Sequence, residues 1–360
     1  MLPVNHKKAS PYAERLSRYY FEINTDTFKE YVSMKSPRAI TFSRNVFLPL
    51  TTVCRNRCGY CSFRTPVQPG CIMPPQEVIG TLKRGAALGC TEALFTFGEH
   101  PEEEVGFDRI LGGIGYRSIL DYCVAMCQES IAHRLLPHTN AGVLSREEME
   151  VLKPVNASMG LMLETTANLP AHRQSPGKDP ARRIEMIENA GKLHIPFTTG
   201  ILVGIGETMA DREESLLVIR DLERRYGHIQ EVIVQNFCPK EGTPMGQWPT
   251  PSTEEMCVTI SLARDILPRE VAVQIPPNLV DAQSLIPCGV DDLGGVSAVT
   301  PDYINPERPW PEVERLQEMV GTAILRERLC IYPRFIEKGW YSREIEALIR
   351  VLAQKIQERS

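Results

Sequence analysis

Along this chain, short apolar runs rich in β-branched residues alternate with longer stretches whose apolar positions recur every three or four residues. The runs at 45–51, 92–97, 135–139, 157–163, 196–203, 231–236 and 271–275 predict strands, with an eighth near 296–299. Helical periodicity fills 75–88, 118–130, 145–152, 180–191, 209–226 and 253–267, and Ser145 followed by Glu148 has the capping-box spacing of a helix start. Parallel strands need a crossover between them, so this alternation predicts βα units around a parallel sheet. Seven or eight units imply an α/β fold, a (β/α)8 TIM-type barrel, closed or nearly closed, whose reactive groups gather on the loops after the strands. An open doubly wound sheet usually shows a glycine-rich phosphate turn after its first strand, and none stands there. The stretch 281–312, rich in glycine, proline and aspartate, reads as one long loop. The expected organisation is a single domain over 1–360, with a barrel core at about 44–311, an N-terminal extension at 1–43 and a C-terminal helical extension at 312–360.

Composition narrows the choice. Forty Lys and Arg against 45 Asp and Glu give a formal charge of −5, without the basic surface that a nucleic-acid partner requires. A hydrophobic content of 42% with 24% charged residues is that of a folded domain, which sets intrinsic disorder aside. The longest charge-free stretches, such as 195–206, fall short of the ~20 apolar residues of a membrane span. Residues 1–18 mix Lys, Arg, His and Pro without the apolar core of a secretory leader, so a cytoplasmic protein with no membrane partner is expected. In a reducing compartment a disulfide framework is disfavoured, and the 11 cysteines direct attention to metal or reactive thiols.

The sharpest chemical feature is Cys54-Arg55-Asn56-Arg57-Cys58-Gly59-Tyr60-Cys61, a CxxxCxxC directly after the first strand. Three soft thiolates in one loop can converge on a metal centre, whereas four saturate a tetrahedral zinc or a [4Fe-4S] cluster. Three protein ligands leave one iron open to an exogenous ligand. Structural zinc, with Cys71 or a distant histidine as fourth ligand, is the alternative, although no second CxxC pair exists. Cys90, Cys123, Cys127, Cys238, Cys257, Cys288 and Cys330 sit mostly in apolar surroundings and are expected in the core.

With Tyr60 in its aromatic slot, this motif resembles the signature of the radical S-adenosylmethionine superfamily. The fuller string at 53–63 is similar to that of CofG-type subunits of 7,8-didemethyl-8-hydroxy-5-deazariboflavin synthases, and the resemblance runs over about 44–311. It implies that Cys54, Cys58 and Cys61 hold a [4Fe-4S] cluster whose open iron takes the amino and carboxylate groups of S-adenosylmethionine. The Thr-Phe-Gly-Glu at 96–99 looks like the superfamily's GGE-type segment, which implies that Gly98 and Glu99 receive the cofactor's ammonium beside Tyr60. The segment 162–165 likewise implies that Glu164 contacts the nucleoside or amino-acid part. The segment 200–208 resembles the fifth-strand pattern near the adenine and places Gly204 and Ile205 there. Further matching pieces lie at 172–178, 235–240, 242–245 and 289–297, followed by Asn305-Pro306-Glu307. From these, Asp291 and Asp292 are the candidate acid–base or substrate-binding groups, and His172 is a candidate substrate or cofactor contact. Family members commonly carry asparagine where Asp291 stands and an aromatic residue where Leu293 stands.

The resemblance implies a substrate as well: a tyrosine-derived adduct of 5-amino-6-(D-ribitylamino)uracil, supplied by a CofH-type radical partner. A 5′-deoxyadenosyl radical would take hydrogen from it, and cyclisation with loss of ammonia would give the deazaflavin. A low-potential donor such as ferredoxin or flavodoxin is then expected. Rival readings are a related radical enzyme of the aminofutalosine or biotin-synthase type, or a zinc-stabilised binding protein.

Overall fold

The computed structural model describes residues 39–359. Most of the extension expected at 1–43 lies outside the described residues. In chain order the elements are β1 (Ala39–Thr51), α1 (Pro75–Ala87), β2 (Glu92–Phe97), α2 (Phe107–Gly113), α3 (Ile119–Ala132), β3 (Leu136–Asn140), α4 (Arg146–Leu152), β4 (Ser158–Gly160), α5 (Pro180–Lys192) and β5 (Phe197–Val203). They continue with α6 (Met209–Tyr226), β6 (Ile229–Asn236), α7 (Thr253–Ile266), β7 (Ala272–Gln274), α8 (Ala282–Leu285), β8 (Asp292–Val296), α9 (Val313–Val320), β9 (Ile324–Glu327), α10 (Pro333–Glu337) and α11 (Arg343–Gln357).

Strands β1 to β8 pair in parallel in sequence order, and β1 closes the ring by pairing with both β2 and β8. The sheet is therefore a closed (β/α)8 barrel. At 13 residues, β1 is long enough to serve a third neighbour, and β9 pairs with its residues 39–42. Helix starts follow local chemistry: in α4 the Ser145 hydroxyl accepts from the Glu148 amide while the Glu148 carboxylate accepts from the Ser145 amide. Thr208 and Asp211 make the same reciprocal pair at the start of α6.

The largest apolar cluster lies between the strands and the surrounding helices. A second cluster joins Leu136 and Ala157, just at and before the starts of β3 and β4, to Leu329, Ile331, Phe335 and one face of α11. Each such side chain contributes roughly 1.5–3 kcal/mol on burial. The C-terminal segment thus caps the barrel at the strands' N-terminal ends.

Three expectations change. The eighth strand is Asp292–Val296 rather than 296–299, so 281–312 is not one loop but contains α8 and β8. Its glycines hide the strand from pattern reading, because they supply no alternation of apolar side chains. The C-terminal extension is not wholly helical, since β9 joins the sheet. Finally, Cys257 and Cys288, expected as separate core residues, form a disulfide that ties α7 to the turn before β8, with Cα atoms 5.4 Å apart.

Candidate active site

The loops after the strands form the barrel mouth, and the cysteine loop leaves the end of β1 there. Its backbone is held from two sides. The Gly98 amide donates to Thr51 O at 3.0 Å and the Arg55 amide to Glu99 O at 3.0 Å, binding the loop to the end of β2. From the other side, the segment 171–178 folds across it. Gly59 N donates to Ala171 O at 2.8 Å and Arg57 N to Gln174 O at 3.1 Å, while Gly177 N donates to Asn56 Oδ1 at 2.9 Å. A Cβ on Gly98 would lie 1.8 Å from Val53 O, so only glycine permits this approach of loop and strand.

Cys54, Cys58 and Cys61 are partly exposed and free of disulfides. Two of the sulfurs already face donors: Glu99 N lies 3.2 Å from Cys54 Sγ, and Ser175 Oγ lies 3.3 Å from Cys58 Sγ. Such donors stabilise sulfur that carries negative charge. Burial, followed for Cys61 by the neighbouring Cys58, pushes the Cys54 and Cys61 thiols above the ordinary value. Among the described residues no three His, Cys, Asp or Glu converge tightly enough to clasp a single ion. A multi-iron cluster asks for something different, one thiolate on each of three irons. A disulfide-free trio on one loop, met by N–H and O–H donors, fits that group.

Around the trio stand ion-paired carboxylates. Glu99, after β2, accepts from Val143 N at 2.9 Å and Arg55 Nε at 2.9 Å. Burial works against its charge, but Val143, Arg183 and Arg55 outweigh it and hold the carboxyl below its ordinary value. Gly142 and Gly177 make room for it: a Cβ on Gly177 would fall 1.6 Å from Glu99 Oε1. Glu164, after β4, is held in the left-handed region at φ 66° and pairs with Lys178. Burial opposes its charge too, and Lys178 and Arg183 overcome it, so it is also held below the ordinary carboxylate range. His172 lies on the loop across the mouth, its Nε2 3.0 Å from the Tyr60 hydroxyl. Burial and then Lys178 push its imidazole down to about 4, leaving it neutral at neutral pH. Burial pushes the Tyr60 phenol well up. The phenol thus stays protonated and shares one hydrogen bond with Nε2, while the buried Nδ1 has no partner among the described residues.

After β5, Gly204 and Ile205 sit at the same mouth, with Gly204 at φ 98°. Their amides donate to Glu207 at 2.7 and 2.8 Å, and Arg212 pairs with that carboxylate at 2.7 Å. Contacts from these two residues to a ligand therefore fall to carbonyls and surfaces rather than to N–H groups.

The structure does not bring Asp291 and Asp292 to the mouth. Both stand at the start of β8, the opposite end of the barrel. Asp291 pairs with Arg264 of α7 at 2.5 Å, on the outer side of the sheet. Asp292 is fully buried and accepts from Arg328 at 2.6 and 2.8 Å. An acid–base role close to the cysteines does not fit either position. The residues that sequence reasoning left without roles are Lys178, Arg183, Asn56 and Ser175, which bind the 171–178 segment to the mouth. Ser175 and Lys178 belong to the motif at 172–178 and Asn56 to the cysteine loop, whereas Arg183 lies on α5 outside any motif, and the partners of all four are set by the fold.

From mouth to floor runs a cavity of about 190 Å³. Its walls carry alternate residues of β1, β2, β3 and β6, such as Glu92, Leu94 and Thr96 on β2 and Glu231, Ile233 and Gln235 on β6, as the two-residue period requires. Arg328 closes the floor. It pairs with Glu231 at 2.7 Å and with Asp292, while Tyr332 and Thr198 donate to Glu231 at 2.9 and 2.7 Å. Burial pushes Glu92 up to about 7, and Ser43 donates to it at 2.6 Å. Burial, with Arg328 adding, pushes His138 down to about 3.

A barrel with a three-cysteine loop at its mouth and a polar interior defines the class, and the Radical SAM superfamily model matches residues 48–219. In fold, the chain is similar to the FeFe-hydrogenase maturase HydG from Carboxydothermus hydrogenoformans, at 16% identity and a TM-score of 0.65, covering 91% of this chain and 84% of that one. Nearer relatives carry one name. A 7,8-didemethyl-8-hydroxy-5-deazariboflavin synthase from Methanosphaerula palustris is 66% identical over 89% of this chain and 98% of its own length. One from Methanoculleus marisnigri is 67% identical over 89% and 96%. The chain belongs to the 7,8-didemethyl-8-hydroxy-5-deazariboflavin synthase family, within the radical S-adenosylmethionine enzymes.

Proposed function

We propose that this enzyme converts a tyrosine-derived adduct of 5-amino-6-(D-ribitylamino)uracil, delivered by a CofH-type partner, into 7,8-didemethyl-8-hydroxy-5-deazariboflavin with release of ammonia. The observation that carries this reading is a cavity lined by polar side chains that runs from a charged floor up to the strand ends where the three free cysteines also stand. Bound at the mouth, a [4Fe-4S] cluster and S-adenosylmethionine supply a carbon radical able to take hydrogen from a C–H bond.

The chain's own residues do the rest. Cys54, Cys58 and Cys61 hold the cluster. Glu99 and the carbonyls beside Gly98 receive the methionyl ammonium, and Tyr60, Glu164, Gly204 and Ile205 surround the remainder of the cosubstrate. Lys178 and Arg183 keep Glu164 ionised and poised. His172 orients the Tyr60 ring as a positioning residue. Strand walls and the capped floor keep water away from the reacting carbon. Ferredoxin or flavodoxin serves as electron donor and the enzyme works in the cytoplasm. No helix among the described residues is long and apolar enough to cross a membrane.

Anaerobically reconstituted enzyme, given S-adenosylmethionine, a reductant, a CofH-type partner, tyrosine and the ribitylaminouracil, is expected to produce blue-green deazaflavin fluorescence. With purified adduct in place of the partner, formation of 5′-deoxyadenosine without any deazaflavin overturns the substrate assignment and leaves the radical chemistry standing.

A further inference from the structure

The barrel cavity holds polar atoms that no other described residue satisfies. Asn45 on β1 is 1% exposed and Gln274 on β7 is 9% exposed, and both line the cavity. Asn45 Oδ1 and Gln274 Oε1 are buried and have no hydrogen-bond partner among the described residues. A buried amide left in this state is costly, and a fold that retains two of them on one wall leaves them for something else to satisfy.

The wall between them is built to hold them there. β8 separates β7 from β1, and its register slips at Gly294, which stands at φ 71°. A Cβ on Gly294 would fall 2.2 Å from Gln274 Nε2, and one on Gly295 would fall 2.2 Å from Asn45 Nδ2. The glycine pair therefore makes the space that each carboxamide occupies against β8. Nearby, Asn278 gives its Nδ2 to Asp302 Oδ2 at 2.9 Å and to Arg308 O at 3.0 Å, which fixes its unpartnered Oδ1 as an acceptor.

We infer that Asn45 and Gln274 are the specificity-determining pair for the substrate's heterocycle, reading an imide edge of alternating carbonyl and N–H. A carboxamide offers both an acceptor and donors, so two of them in a row match such an edge in a way that hydroxyls or charges do not. The hydroxylated chain then extends down the cavity along the polar side chains that β2 and β6 present, such as Thr96 and Gln235. This inference rests on the substrate reading above and assigns its recognition to particular side chains.

The test compares wild-type holoenzyme with Asn45→Leu and Gln274→Met, using the adduct and an analogue methylated on the imide nitrogen. Each substitution is expected to raise KM for the adduct about tenfold or more, with a smaller change in kcat, unchanged iron content and a melting temperature no lower than that of the wild type. Methylation should raise KM for the wild type by a similar factor and for the variants much less, a coupling that a purely structural role does not produce. Asn45→Ser repeats the comparison should the leucine variant not fold. Variants with wild-type KM, from an enzyme that makes deazaflavin, overturn the inference and spare the function. A wild-type enzyme that makes no deazaflavin overturns both.

Discussion

The two ends of this barrel solve opposite problems with opposite materials. At the mouth, backbone amides, carbonyls and glycines hold a loop of three sulfurs, and the carboxylates that flank it are kept charged by Arg55, Lys178 and Arg183. At the floor, a buried arginine pairs with two buried carboxylates at once. The mouth is arranged to receive charged groups from outside. The floor is closed upon itself, and its ion pairs fix the cap against the barrel. Removing a group at one end should therefore damage chemistry, and at the other end stability.

The largest separation is expected from Cys58→Ala. It should abolish turnover and lose cluster iron, while the circular dichroism of the cluster-free protein matches that of the cluster-free wild type. Iron analysis after anaerobic reconstitution checks it; a full iron complement would contradict the ligand assignment.

Arg328→Met should do the reverse. It strands Asp292 and Glu231 without their cation, and urea unfolding is expected to show a loss of about 3–5 kcal/mol. The fraction that folds should still reconstitute its iron. A cost under about 1 kcal/mol would mean that the floor relaxes or admits water.

A subtler mouth variant, Glu99→Gln, keeps shape and removes charge. S-adenosylmethionine affinity is expected to fall roughly ten- to a hundredfold by equilibrium binding, the scale of one charge-assisted hydrogen bond, with iron retained.

A graded effect concerns pH at the floor. His138 stays neutral in the folded protein down to about pH 3, whereas in the unfolded chain it takes up a proton below about 6.5. Acid therefore favours the unfolded state, and stability falls as pH drops through that window. His138→Asn should flatten the profile between about pH 6.5 and 4 by about 1.4 kcal/mol per pH unit. An unchanged slope would show that the imidazole is already protonated in the fold.

The same contrast decides how much could be read from sequence. The mouth was legible because its ligands are contiguous: Cys54, Cys58 and Cys61 occupy one loop, and Glu99 and Glu164 each terminate an apolar strand. The barrel was legible from alternating periods. The floor was not, because Arg328, Glu231 and Asp292 are brought together only by closure of the ring and folding back of the C-terminal segment. Asp292 looked like a catalytic loop residue for the same reason that β8 was misplaced: Gly294 and Gly295 mask a strand as a loop. The interior polar positions did leave a faint mark, since Ser43 and Asn45 stand two residues apart, and Glu92 and Thr96, like Glu231 and Gln235, stand four apart on the same strand face. Polar residues that keep to one face of a strand mark a wall that faces a wet or liganded interior.

The account stands on mouth and cavity forming one reaction chamber. The direct test is anaerobic turnover of an adduct deuterated on the tyrosine-derived side chain, with mass analysis of the 5′-deoxyadenosine released. Deuterium in that product, accompanied by deazaflavin fluorescence, is the predicted result. Deazaflavin formed beside unlabelled 5′-deoxyadenosine would contradict it.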